Sequence, residues 1–166
     1  MSMLFTPGEV FEIAIEIERN GAAFYRKAAA NATDTAVRHE LLELAAMEDA
    51  HEVTFTELKR DLVRDEDTVE WFDEESDTVM YLRNFAAGQV FDVTKNPVAL
   101  AMATTTLAEI LRYALDRERD SVVFFLGMKD LMPAAGGRVR IEDIIKQEMG
   151  HITLLGNRLK EASRRA

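Results

Sequence analysis

Apolar side chains recur every three to four residues along four long stretches of the chain, the period that a helix turns to one face. The first stretch carries Phe11, Ala14, Ala22 and Tyr25, and the second Leu41, Leu44 and Phe55. The third carries Leu111, Ala114, Val122 and Phe125, and the fourth Ile141, Ile144 and Leu155. They predict helices over about residues 7–30, 35–62, 107–131 and 139–162. Thr6 to Glu9 and Thr106 to Glu109 read as capping boxes, with Thr at the N-cap, Glu three residues on, and Pro7 suited to a first helical position. "NATD", residues 31–34, is a turn that offers Thr33 or Asp34 as the next cap. Met132-Pro133 stops the third helix and "AAGG", residues 134–137, makes the turn into the fourth.

The second half repeats the first. "TPGE" is answered by "TLAE", "ERNGAAFY" by "ERDSVVFF" and "EDAH" by "EMGH", each displaced by 100 residues. A register kept over three segments implies two copies of one helical hairpin, spanning about 6–63 and 106–164. The crossover between them, about 64–105, is too long for a bare loop in a single compact domain covering residues 1–166. Within it, "SDTVMYLRNFAAG" reads as a short helix capped by Ser76 or Asp77, and "NPVALAMAT" as another with Pro97 in its first turn. Such a connection lets the third long helix run parallel to the second. The expected fold is all-α: a four-helix bundle with one long crossover connection containing short helices. The acidic run "RDEDTVEWFDEESD" that opens the crossover reads as a solvated linker.

Each apolar stripe is interrupted near its middle. Glu18 and Glu118 interrupt the first and third stripes; Glu48 with His51, and Glu148 with His151, interrupt the second and fourth. Mid-helix positions of a bundle meet at one level, so four glutamates and two histidines converge on a single point. Four buried carboxylates would raise one another's pKa and take up protons, whereas two divalent cations cancel their charge. Oxygen-rich ligation with one imidazole per metal suits iron or manganese better than zinc. The i, i+3 spacing sets each Glu oxygen and His nitrogen on the same side of their helix. Tyr25 and Tyr113 could stand near the metals as redox or hydrogen-bonding partners, or could serve only in core packing. His39, off the stripe, reads as a surface histidine.

With "IEIERNGAAFY … MEDAH" and "LDRERDSVVFF … QEMGH", the chain resembles the rubrerythrin branch of the ferritin-like superfamily over all four long helices. The resemblance implies a ferritin-like bundle holding two iron ions, with manganese or a mixed pair as the other metal choice. It implies that Glu48 and Glu148 bridge the metals, that Glu18 and Glu118 are terminal carboxylates, and that His51 and His151 give one nitrogen to each metal. Two departures stand out. Rubrerythrins carry a further glutamate one turn after the helix-three ligand, where this chain has Ser121. They also carry a Cys-ligated rubredoxin-like domain, and this chain has no cysteine. The set of six is thus more symmetric, as in bacterioferritin-type ferroxidase centres.

Composition narrows the remaining possibilities. A net charge of −10 argues against nucleic acid as a partner. No basic amphipathic stripe, apolar span or signal-peptide pattern appears, so no membrane partner is expected and a cytoplasmic setting is. Lack of cysteine excludes disulfides, thiolate ligation and a Cys nucleophile. "VVFFLGM", residues 122–128, is apolar almost all round, so either the crossover or a second subunit must cover it; a homodimer is expected. Two functional classes remain: an oxidoreductase using O2 or hydrogen peroxide with an electron donor that the sequence does not identify, or a module that stores iron or is braced by metal without turnover.

Overall fold

The computed structural model describes residues 6–62, 75–87, 106–132 and 137–165. They form α1 (Pro7–Asn31), α2 (Thr35–Leu62), α3 (Asp77–Ala87), α4 (Leu107–Leu131) and α5 (Gly137–Arg165). Both expected capping boxes are made. The Glu9 N–H donates to Thr6 Oγ1 at 3.3 Å and the Thr6 N–H to Glu9 Oε2 at 2.7 Å. Thr106 and Glu109 repeat the exchange at 3.3 and 2.8 Å. Of the two candidate caps for α2, Asp34 is used, accepting from the N–H groups of Ala36 and Val37 at 2.8 and 3.2 Å. Ser76 caps α3, with the Val79 N–H 3.2 Å from its Oγ. The expected helix over residues 96–104 lies outside the described residues.

The repeat extends to the hairpin turns. Arg38 donates to the Ala32 carbonyl at 2.8 Å, and Arg138, 100 residues on, donates to the Met132 carbonyl at 3.0 Å. Each clasp satisfies a carbonyl stranded just past a helix end. Ion pairs fix the helix directions. Lys59 with Glu12, Arg19 with Glu52 (2.8 Å) and Arg26 with Asp49 tie α1 antiparallel to α2. Arg140 with Glu57 (2.6 Å) and Arg158 with Glu40 tie α2 antiparallel to α5. These surface pairs set register more than stability, at about 0–1 kcal/mol each.

Two apolar clusters fill the bundle. One joins Phe11, Phe55, Phe125, Met128 and Ile141; the other joins Tyr25, Leu41, Leu44, Leu111 and Leu155. The first therefore gathers the N-terminal halves of α1 and α5 with the C-terminal halves of α2 and α4, and the second gathers the opposite halves. α2 and α4 run parallel, as a single-crossover bundle requires. Every apolar stripe position named above is buried. α3 lies along α4, with Val79 and Leu82 buried and Phe85 on Phe124 at 5.3 Å between ring centroids. The crossover thus covers one side of "VVFFLGM", while Val123 (47%) and Leu126 (39%) stay exposed. No helix among the described residues is long and apolar enough to cross a membrane.

Candidate metal centre

Between the two apolar clusters the stripe turns polar on all four long helices, and six ionisable side chains meet there. Glu18, Glu48, His51, Glu118, Glu148 and His151 are all at most 4% exposed. Their donor atoms sort into two groups, Glu18–Glu48–His51–Glu148 and Glu48–Glu118–Glu148–His151, each within 4.8 Å of one another. Glu48 and Glu148 are common to both. Each remaining histidine is grouped with a carboxylate from its hairpin partner: His51 of α2 with Glu18 of α1, and His151 of α5 with Glu118 of α4.

Both imidazoles turn Nδ1 toward the carboxylates. His51 Nδ1 is 2.8 Å from Glu148 Oε1 and 3.2 Å from Glu18 Oε2. His151 Nδ1 is 2.9 Å from Glu148 Oε2, 3.2 Å from Glu48 Oε1 and 3.6 Å from Glu118 Oε1. The rings face each other at 5.8 Å with 19° between their planes. On their far sides, His51 Nε2 meets Gln147 Oε1 at 3.2 Å and His151 Nε2 meets Met47 Sδ at 3.4 Å.

Such a site is expensive without cations. Burial, then the charge of Glu148, holds Glu18 well above the usual carboxylate range; burial, then Glu18, does the same to Glu48. Glu118 is pushed up to about 8, first by burial and further by Glu48 and Glu148, against an opposing contact from His151. For Glu148, burial acts upward but the close approach of His151 and His51 outweighs it, and its carboxyl is held low. Burial opposes charge on His151 too, yet Glu118, Glu148 and Glu48 together raise it to about 12. His51 is raised in the same way, Glu148 outweighing burial. Protons thus take the place of cations among these groups.

The donor set fits a metal site. Glu18 Oε1, Glu48 Oε1, both oxygens of Glu148 and His151 Nδ1 are shut off from solvent without a hydrogen bond, although some stand at ion-pair distance. Unsatisfied buried donors and acceptors are rare because each costs about 1–3 kcal/mol or more. Metal–ligand bonds of roughly 2.1 Å set opposite ligands about 4.2 Å apart, so a group spread over 4.8 Å closes on a cation with small side-chain movement.

Of the two tyrosines, only Tyr25 is shown in contact with the site. It is 2% exposed and its hydroxyl donates to Glu118 Oε1 across the bundle. Tyr113 packs on Phe24 at 5.3 Å and under the Arg117 guanidinium, also at 5.3 Å. His39 is on the surface beside Glu43. Ser121 turns its hydroxyl to the Arg117 carbonyl at 3.1 Å, back along its own helix. Three contacts escape sequence reasoning: Gln147 and Met47 on the histidines, and Gly21 on Glu48. A Cβ at Gly21 would stand 3.0 Å from Glu48 Oε2. The 100-residue register was the available signal, because it pairs Met47 with Gln147 and Gly21 with Ser121.

No protein-family description matches the chain, and no curated protein matches it in sequence. Among solved structures, a Thermotoga maritima protein described as a "putative ferritin-like diiron-carboxylate protein" is similar, with a TM-score of 0.69 and 22% identity. The match covers 95% of this chain and 96% of that one. The fold is therefore the ferritin-like bundle, and the buried Glu and His groups at its middle fit a metal site.

Proposed function

We propose that the protein is a non-haem di-iron carboxylate oxidoreductase of ferroxidase or peroxide-reducing type, on the rubrerythrin side of the ferritin-like proteins. The observation that carries the reading is the pair of four-residue donor groups sharing Glu48 and Glu148, with buried carboxylate oxygens left unsatisfied. Two irons held there would supply two electrons at once to O2 or hydrogen peroxide. The T. maritima neighbour's description is in keeping with the di-iron carboxylate part of this reading.

The residues divide the work. Glu48 and Glu148 would bridge the metals, Glu18 and Glu118 would bind one metal each from the side, and His51 and His151 would each give Nδ1. Gly21 leaves the space beside the Glu48 carboxylate that a Cβ would take, 3.0 Å from Oε2, and so would favour a change in its mode of binding. The Tyr25 hydroxyl orients Glu118 and lies within reach as a proton donor on that side of the centre. The two apolar clusters keep water from the carboxylates from above and below. With Ser121 bonded to its own helix, no seventh carboxylate is offered at that position. Manganese or a mixed pair would satisfy the same donors. A cytoplasmic homodimer with the exposed Val123 and Leu126 in its interface completes the reading.

Anaerobic Fe(II) titration of metal-free protein, followed by O2 and separately by peroxide, tests the function through absorbance and Mössbauer spectra. The expected result is two irons per chain, oxidised rapidly, with the faster oxidant identifying the physiological one. Two irons bound but inert to both oxidants would replace the enzyme with an iron-storing or metal-braced module, and no binding would overturn the site.

A further inference from the structure

Met47 and Gln147 occupy equivalent positions of the two hairpins, each one residue before a shared glutamate, and each reaches across to the histidine of the other hairpin. Gln147 of α5 sets its amide oxygen 3.2 Å from His51 Nε2; Met47 of α2 sets its thioether 3.4 Å from His151 Nε2. A metal on Nδ1 leaves the imidazole's proton on Nε2, so the two residues are the acceptors for that proton. An amide oxygen accepts well; a thioether sulfur accepts weakly. A hydrogen bond accepted from the far nitrogen fixes the ring's orientation and makes its near nitrogen a stronger donor to metal.

A second difference acts in the same direction. Tyr25 donates to Glu118, in the group of His151, and drains charge from that carboxylate. The equivalent position on α4 is Phe125, which has no hydroxyl to offer Glu18. One group therefore has a supported imidazole and a carboxylate free of Tyr, while the other has a weakly supported imidazole and a carboxylate already engaged.

We infer that the two metal positions are unequal: the position of Glu18 and His51 fills first, with Gln147 as its positioning residue, and the position of Glu118 and His151 fills second because Met47 stands where Gln would. This rests on the two-metal reading above. Partners of this kind typically change metal affinity roughly 10- to 100-fold, so the two binding steps should be separated by about that factor.

The test uses Co(II) and the full chain. Wild-type protein is titrated by calorimetry with its visible spectrum followed, and crystals grown with one equivalent are measured for anomalous scattering. The expected peak at one equivalent lies beside His51. Gln147→Met should weaken the first step about 10- to 100-fold, while Gln147→Glu, which keeps an oxygen acceptor, should restore it. The exchange Met47→Gln with Gln147→Met should move the first Co(II) to His151, an outcome that general loss of folding cannot produce. Equal occupancy of the two positions at one equivalent would overturn the inequality, and first filling at His51 unchanged by the exchange would overturn its assignment to Gln147 and Met47, both without touching the two-metal reading. Wild-type protein that takes up no Co(II) would overturn the two-metal reading beneath it.

Discussion

Glu118→Gln should make the metal-free protein more stable and the metal-loaded protein less so. Unfolded, Glu118 ionises near 4.5; folded without metal, it keeps its proton to about 8, because burial and the neighbouring carboxylates disfavour its charge. Between those values the folded chain binds a proton that the unfolded chain has released. Stability therefore falls as pH rises through the window, by about 1.4 kcal/mol per pH unit for this group, and the deficit levels off above pH 8. Over the whole shift the ceiling is roughly 5 kcal/mol. Gln is nearly the same size, never ionises and still offers Tyr25 an oxygen.

Guanidinium unfolding of chelator-treated protein at pH 5, 7 and 9, followed by circular dichroism, measures the effect. The variant should match wild type near pH 5 and exceed it increasingly toward pH 9. Adding Fe(II) under anaerobic conditions should reverse the order, because wild type gains more from binding than a chain with a poorer ligand. A difference between the two chains that does not vary with pH, or a variant less stable than wild type at pH 9 without metal, would refute the account of a carboxylate held neutral by its surroundings.

Glu48→Ala or Glu148→Ala should abolish binding of both metals, since each belongs to both donor groups; plasma emission analysis showing two irons in either variant would remove that residue from the shared position. His39→Ala should leave the metal content unchanged. Gly21→Ala should lower metal affinity by displacing Glu48, whose Oε2 would lie 3.0 Å from the new Cβ. Its metal-free stability should not follow, because Ala in a helix gains about 1 kcal/mol over Gly; unaltered affinity by calorimetry would show that Glu48 gives way freely. Asp34→Ala should cost about 1 kcal/mol in thermal or denaturant unfolding through loss of the α2 cap, with two metals still bound.

Much of this centre is legible in the chain because its residues break a strong pattern. Glu18, Glu48, Glu118 and Glu148 each interrupt an apolar stripe at mid-helix, and burial of the stripe carries them inward whatever the detail of helix packing. His51 and His151 follow one turn on and share the same face. The caps at Thr6 and Thr106 are equally plain, since their bonds lie within one turn of sequence. What the chain conceals is contact across helices from positions that look solvated. Met47 and Gln147 are exposed by the same helical period that buries Glu48 and Glu148, and only long side chains bring them back over the histidines. Tyr25 reads as core, and it is core; that its hydroxyl finds Glu118 depends on how closely α1 and α4 approach.

The two kinds of position do different work. Repetition at the six ionisable residues makes a nearly two-fold site, and nothing in Glu-x-x-His taken twice distinguishes one half from the other. The halves differ at residues the repeat leaves free: Tyr25 against Phe125, Met47 against Gln147, Gly21 against Ser121. Each of these touches an imidazole, a carboxylate or the helix beside it without adding a charge to the buried cluster. That economy follows from the electrostatics. A seventh ionisable group among four carboxylates would carry its own burial cost, whereas a hydroxyl, an amide or a missing Cβ alters a ligand's basicity or freedom at far smaller expense. Differentiation of a nearly symmetric buried site should therefore be sought in its neutral neighbours, and here Tyr25 on Glu118 and Met47 on His151 fall on one side while Gln147 supports His51 on the other.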